Sequence, residues 1–407
     1  MKAAAGCALS GRRVLEIADE TGVYCGKLMA DMGADVIKVE RPGGDATRRI
    51  PPFLHDRPGT DRSLFFLYMN TNKRSVSLDM EQQAGRSLLH RLVRSVDIVI
   101  ETLPPGRLDE LGAGFESMRA ERPDLVVTSI TGFGQIGPHA TWRSNDLVAG
   151  AMGGAMYVTG EADDPPVNMA SAQNHLMAST TAASSSLIAL LHAGRTGVGQ
   201  QVDISVQETT LAVSHITGVG RWLEDGLIPR RVGTALTAST PSGAYPCRDG
   251  QIYLMVNRPA HWKALAKWIH EETGNEEVLL PIFEGPSSNR QEYRELIDLF
   301  ISDMTKEHSV EEIFHEGQRR HIAFTPLNST EQAARGDHLQ SRGYFIEVDH
   351  PATGPIHYPS APYRFERTPW SIRRPAPRVG EHNEEVYLGE LGLDADELAS
   401  LRESGVV

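Results

Sequence analysis

This chain predicts an α/β fold, a large domain built on an open, doubly wound parallel sheet together with a smaller, partly helical α+β domain. Three observations carry that expectation. Short apolar runs alternate with helix-compatible segments through the first half, those runs are apolar on successive residues, and beyond about residue 220 helical patterns dominate. Strands buried on both faces read as continuous apolar runs, and a parallel sheet covered by helices is the arrangement that buries them.

The elements follow in order. Residues 14–17 form a short strand, 24–32 a helix and 34–39 a second strand, which ends in the turn Arg41-Pro42-Gly43-Gly44. A helix over 82–94 places Leu88, Leu89, Leu92 and Val93 at helical spacing, and β-branched strands follow over 96–100 and 125–130. A long helix over 176–192 leads into the turn Arg195-Thr196-Gly197-Val198-Gly199 and a strand over 201–206. After Asp249-Gly250 comes a strand over 252–256, then helices over 261–270, 291–304 and 310–320. Beyond 322 the chain turns Pro-rich, with a last amphipathic helix over 394–402, and such a tail can pack back on the first domain. The expected division is 1–220 for the large domain, 221–330 for the small one and 331–407 for the returning segment.

Composition bounds the function. With 407 residues, 40% of them hydrophobic, the chain can bury a large core in two domains. A net charge of -13 argues against a general nucleic-acid binder, which needs a basic footprint, although a local basic pocket can still hold an anion. Cys7, Cys25 and Cys247 are too far apart in sequence to suggest a disulfide framework or a zinc knuckle, which fits a reducing cytoplasm. The most apolar stretches, 147–158 and 176–191, are interrupted by Gly, Ser or Thr, so no membrane span is expected. Residues 1–10 offer too little apolar sequence for a signal peptide, and Ala5-Gly6-Cys7 lacks the apolar region of a lipoprotein signal.

Generic motifs fail in turn. Gly22 to Lys27 is one residue short of a phosphate-binding loop and lacks the following Ser or Thr. His315 and His321 are six residues apart, which separates the rings around a helix and cannot reproduce a zinc-binding pair, so no metal is expected. There is no Gly-x-Ser-x-Gly elbow for a serine hydrolase. The small residues Gly150 to Gly154 serve phosphate approach and tight helix packing equally well.

Longer strings decide more. Gly33-Ala34-Asp35-Val36-Ile37-Lys38-Val39-Glu40-Arg41-Pro42-Gly43-Gly44-Asp45, Asn72-Lys73-Arg74-Ser75-Val76-Ser77-Leu78-Asp79, Ser129 to Gly134, Arg195 to Asp203, His338 to Gly343 and Gly380-Glu381-His382 resemble the class III CoA-transferases, the formyl-CoA transferase and carnitine CoA-transferase-like (CaiB/BaiF) family. The resemblance implies a Rossmann-like large domain made from both chain ends, a small domain inserted between them, and two interlocked subunits. It implies coenzyme A or acyl-CoA as substrate, no tightly bound cofactor, and no nucleic-acid or membrane partner. The phosphates of CoA need cations, for which Arg41, Arg74, Arg107 and Arg143 are the candidates, with Leu78 matching a position beside the adenine.

One departure stands at the centre. Pro165-Pro166 and Arg195 to Gln200 fix both ends of the segment that bears the family's nucleophilic aspartate, and without gaps that aspartate falls on His175. In the family mechanism the carboxylate is acylated to an anhydride and then carries CoA as an aspartyl thioester. Imidazole has no acyl carbon on which to hold CoA. Asp163 and Asp164 lie before the Pro-Pro turn and do not substitute. The racemase branch of the superfamily is disfavoured too: its His corresponds to Asn145, its Asp to His175, and a third acidic residue to Arg258. The loop Ala18 to Val23 is one residue shorter than usual and lacks the family's Gln and Gly-Pro.

Two readings follow. In the first, the chain is a subunit of a heteromeric transferase whose homologous partner keeps the aspartate, as in the family's succinyl-CoA:(R)-benzylsuccinate CoA-transferase, so the expected substrates are succinyl-CoA and benzylsuccinate. In the second, His175 is a general base in a stand-alone acyl-CoA lyase, dehydratase or thioesterase. Loops around 233–246 are expected to set acid specificity.

Overall fold

A computed structural model describes residues 6–214, 218–236 and 239–407. Ala5 of the lipoprotein-like tripeptide, most of the 1–10 leader segment's start, and Thr237 and Ala238 of the specificity loop lie outside the described residues. The chain divides into two compact units, one of Met1–Ala155, Asn168–Gly220 and Ser341–Val407, the other of Met156–Val167 and Arg221–Gln340.

The first unit contains strands β1 (Arg13–Ile17), β2 (Asp35–Glu40), β3 (Arg74–Ser77), β4 (Ile98–Glu101), β5 (Val126–Thr131) and β6 (Gln201–Ser205). They form one parallel sheet in the order β3-β2-β1-β4-β5-β6. Alternate residues of a strand point to opposite faces, and here both faces are dry. Leu15, Ile37, Val99 and Val127 join one core cluster, whereas Val14, Val36, Ile98 and Val126 join another. That is why the strands read as unbroken apolar runs. β3 escapes the sequence reading because Arg-Ser-Val-Ser is polar, and its buried polar side chains are instead paired within the structure.

Helices α1 (Val23–Asp31), α2 (Gln83–Val93), α3 (Asp146–Met152), α4 (Gln173–Thr196) and α5 (Val206–Val213) belong to the same unit. The 24-residue α4 is long and apolar enough to cross a membrane by length and composition, yet Ala178, Ala182, Ala183, Ala189 and Ala193 pack it into the second core cluster. Its small side chains let it lie close to the sheet. Gly153 after α3 serves the same end, since a Cβ there would fall 2.7 Å from Thr210 of α5.

The second unit has an antiparallel sheet of β7 (Ser242–Cys247), β8 (Gly250–Met255) and β9 (Ala323–Pro326), covered by α6 (Pro259–Thr273), α7 (Arg294–Thr305) and α8 (Val310–Arg319). Trp262, Trp268, Phe283, Phe300 and Phe324 fill its core. Arg290 is wholly buried there and donates to the carbonyls of Thr240, Phe283 and Gly285.

The C-terminal part of the first unit adds the hairpin β10 (Phe345–His350) and β11 (Gly354–Pro359) and ends in α9 (Ala395–Glu403). Val386, Tyr387, Leu393, Leu398 and Val406 complete the first core cluster beside Val76, Leu78 and Leu88. Tyr387 Oη donates to the Ser77 carbonyl at 2.9 Å, and Val406 accepts from the Asp79 N–H at 2.7 Å.

Candidate functional site

In doubly wound sheets ligands bind at the carboxyl ends of the strands where the strand order reverses. Here that point lies between β1 and β4, and the loop leaving β1, Ala18 to Gly22, sits over it. The Asp19 N–H donates to Thr102 Oγ1 at 3.0 Å, and Thr21 N–H to Asp19 Oδ1 at 2.9 Å. Ser179 of α4 reaches the Thr21 carbonyl at 2.9 Å. His175 lies four residues before Ser179, hence on the same helix face. The loop therefore lies against the face of α4 that carries His175.

Below the loop the ends are held by buried ammonium groups. Lys38 Nζ donates to the Ala18 carbonyl and Lys73 Nζ to the Val23 carbonyl, both at 2.9 Å. Glu16 lies between them, 2.7 Å from Lys73 and 3.5 Å from Lys38, while Asp45 is 2.6 Å from Lys38. Burial pulls Lys73 down to about 8 against the attraction of Glu16. For Lys38 burial acts to lower the value, but Asp45, Glu16 and Glu40 outweigh it and hold the ammonium above its ordinary range. Gly26 makes room for this cluster, because a Cβ there would fall 1.7 Å from Glu16 Oε2.

His175 occupies the third position of α4, after Ser171 and Ala172 in left-handed backbone conformations (φ 63° and 52°). Non-glycine residues in that region store strain that tends to collect at functional sites. With no side-chain cap of its own, the helix start is closed by Asp146. Asp146 Oδ1 accepts the His175 N–H at 3.1 Å, and Oδ2 accepts from Asn168 at 3.0 Å and Asn174 at 3.1 Å. Asn174 Oδ1 in turn accepts from Thr210 at 3.2 Å. The imidazole is 5% exposed, and its Nδ1 is buried without a hydrogen-bond partner. Burial pushes its pKa below the ordinary value, against Asp146, Glu20 and Asp19, which act to raise it. The ring is thus kept neutral at and above neutral pH.

Glu101, the last residue of β4, is a second buried titratable group at this edge. It is 3% exposed and accepts the Leu103 N–H at 2.7 Å, and no lysine or arginine pairs with it among the described residues. Burial raises its carboxyl to about 7.

The expected CoA contacts divide. Arg41 and Arg143 are exposed, and among the described residues no carboxylate pairs with them. Arg74 is instead a buried structural cation, 2.5 Å from Asp35, 3.2 Å from Glu385 and 2.5 Å from Glu390. A guanidinium closed in by three carboxylates has no donor geometry left for a phosphate. Arg107 is half-buried between Glu81 and Glu110, each at 2.6 Å. Leu78 is 1% exposed and belongs to the core. Lys27, the would-be phosphate-loop lysine, is spent on Asp31 and Thr71.

Sequence reasoning missed Asp146, Asn174 and Glu101. A lone acid ending the run Ile98-Val99-Ile100-Glu101 was a legible signal for the last. It also passed over Arg49 and Arg57, exposed cations without carboxylate partners among the described residues, in a stretch with five arginines between Arg41 and Arg62.

Comparisons with known proteins identify the family and the fold. The family model described as CoA-transferase family III matches residues 9–383. The succinyl-CoA:(R)-benzylsuccinate CoA-transferase subunit BbsE of Thauera aromatica is 34% identical over 405 residues, covering 97% of each chain. The formyl-CoA:oxalate CoA-transferase of Streptomyces coelicolor is 31% identical, over 98% of this chain and 99% of its own. Among solved structures, a CAIB/BAIF family protein from Brucella suis superposes with a TM-score of 0.82 at 28% identity, over 95% of this chain and all of its own.

Proposed function

The chain belongs to CoA-transferase family III, and from that premise we propose that it is the subunit without a nucleophile in a heteromeric CoA-transferase. The family moves CoA between an acyl-CoA and a carboxylic acid. In this reading a homologous subunit supplies the aspartate that carries CoA, and the two chains interlock. Succinyl-CoA as donor and benzylsuccinate as acceptor are taken from the name of the Thauera relative.

The carrying observation is the start of α4, where His175, the residue that the sequence reading sets at the family's aspartate position, is a buried imidazole whose pKa burial lowers. The adjacent acid cannot replace it, because both oxygens of Asp146 are committed to N–H donors. Side chains facing solvent on three neighbouring helices support a protein partner: Leu147 on α3, Ile188 and Leu191 on α4 and Val213 on α5 are each more than half exposed. Arg41 and Arg143 are the cations left to meet CoA phosphates, joined by Arg49 and Arg57. Three free cysteines are in keeping with a cytoplasmic location.

The test is CoA exchange between succinyl-CoA and benzylsuccinate by the chain alone and with the class III homologue encoded beside it. Turnover is expected only in the mixture. Mass-spectrometric capture of CoA as a thioester on Glu20, or on any other carboxylate of this chain alone, overturns the reading. The second reading, His175 as general base in a stand-alone lyase, dehydratase or thioesterase, is favoured by one observation, the lowered pKa of an unpartnered imidazole. Turnover of an acyl-CoA by the chain alone, lost in His175→Ala, selects it.

A further inference from the structure

A carboxyl group taken out of water keeps its charge only where a cation or several strong donors replace the water; otherwise it holds a proton. Glu101 is in the second situation. It is 3% exposed at the end of β4, and the donors that reach it are the Leu103 N–H at 2.7 Å and the Ser129 hydroxyl. The charges facing it are Asp203 from β6 and Asp19 from the β1–α1 loop, both negative. Burial first, and then these two carboxylates, raise its carboxyl to about 7 against the two donors.

The β1–α1 loop lies over this edge. Its Asp19 N–H donates to Oγ1 of Thr102, the residue next to Glu101, at 3.0 Å. Gly22 closes the other end so tightly that a Cβ there would fall 2.6 Å from Thr102 Cγ2 and 3.1 Å from Ile130 Cδ1. An ionised Glu101 would face Asp19 with no cation of the described residues paired to it.

We propose that the β1–α1 loop is a proton-gated cover: it rests on Thr102 while Glu101 keeps its proton and lifts as Glu101 gives that proton to solvent, so the carboxyl edge of the sheet opens as pH rises. The inference uses this chain's own side chains and is independent of any partner subunit or CoA ligand. A carboxyl whose pKa is raised under the cover favours the closed loop fully below pH 4.5, and that contribution is lost as pH rises through 7. The other titratable groups of the loop do not mimic it. His175, on which Asp19 and Glu20 bear, is lowered by burial, so its protonation favours opening toward acid, the opposite sense. Lys38, which holds the Ala18 carbonyl, is raised above its ordinary range, and Lys73, which holds the Val23 carbonyl, titrates at about 8. Both stay charged through the range in which Glu101 changes.

Hydrogen–deuterium exchange of the full-length chain, read by mass spectrometry and corrected for the intrinsic pH dependence of amide exchange, is the test. Amides of residues 19–23 are expected to lose protection about fortyfold between pH 5 and pH 7 and to level off above pH 8. That change is set by carboxyl values of about 7 under the cover and 4.5 in water. Amides of β7 and β8, in the other compact unit, are expected to keep their protection over that range. Glu101→Gln, which cannot ionise, is expected to abolish the dependence. Asp19→Asn keeps Glu101 and removes one of the charges that raise it, so the levelling moves to lower pH, and this variant decides the matter where the first does not fold. Loop protection that is flat or rises with pH in the wild type, a fall that survives Glu101→Gln, a plateau unmoved in Asp19→Asn, or an equal fall in β7 and β8 each overturns the proposal.

Discussion

The buried charges of the sheet-bearing unit fall into two groups that are treated in opposite ways. Beneath the β1–α1 loop, Glu16, Lys38, Lys73 and Asp45 satisfy one another, and Glu40 is held bidentately by Arg48 at 2.7 Å. At the carboxyl edge of the sheet, His175 Nδ1 has no partner and Glu101 has no cation. Desolvating a charge costs several kcal/mol unless geometry and hydrogen bonds return it. The first group returns that cost within the protein and fixes the loop ends; in the second, burial lowers the pKa of His175 and raises that of Glu101, so each is favoured in its neutral form. In the reading proposed above, the position expected for the family's aspartate carries a buried imidazole and not an apolar side chain.

That contrast can be broken on the paired side first. Lys73→Met leaves Glu16 with a distant Lys38 and strands the Val23 carbonyl and Asn70; a loss of about 3–5 kcal/mol is expected in urea denaturation. A loss below about 1 kcal/mol means that the cluster is not a unit.

On the unpaired side the sign reverses for Glu101→Gln. The carboxyl titrates at about 7 in the folded chain against 4.5 when exposed, so between those values the folded state holds a proton that the unfolded state has released. The contribution of the neutral acid is full below pH 4.5 and is lost as pH rises through 7. The amide should therefore stabilise the chain above pH 7, by at most about 3 kcal/mol, and make little difference below pH 4.5. Thermal melts at pH 4 and pH 8 check the pattern, and a gain at both values contradicts it.

Asp146→Ala removes the acceptor of three N–H groups and the closure of α4, for which a loss of roughly 2 kcal/mol is expected. Smaller still, His175→Phe exchanges an orphaned nitrogen for an apolar edge and should raise the urea midpoint by the equivalent of about 1 kcal/mol. A fall instead would show that the imidazole is structurally satisfied. Last, Arg107→Ala should leave the midpoint unchanged, because its ion pairs with Glu81 and Glu110 are open to solvent.

How far the sequence spoke depends on distance along the chain. Strands β1, β2, β4, β5 and β6 were legible because burial on both faces writes a local apolar pattern. β3, β7 and the β10–β11 hairpin were not, because polar residues and prolines interrupt theirs. The expectation at His175 rests on one segment, Pro165-Pro166 to Gln200. What surrounds it was not, since Asp146 meets it across 29 positions and the Thr21–Ser179 bond spans 158. Arg74 misled for the same reason: the carboxylates of Glu385 and Glu390 that enclose it lie more than 300 residues away.

The returning C-terminal segment has a bearing on biosynthesis. Val386, Tyr387, Leu398 and Val406 leave the ribosome hundreds of codons after Val76 and Leu88, yet they seal the same hydrophobic layer. At typical elongation speeds of about 5–20 residues per second, the nascent polypeptide carries an uncovered greasy sheet face for roughly tens of seconds. Translation must pass Val406 before that face can close, so until then the exposed layer is a route to aggregation.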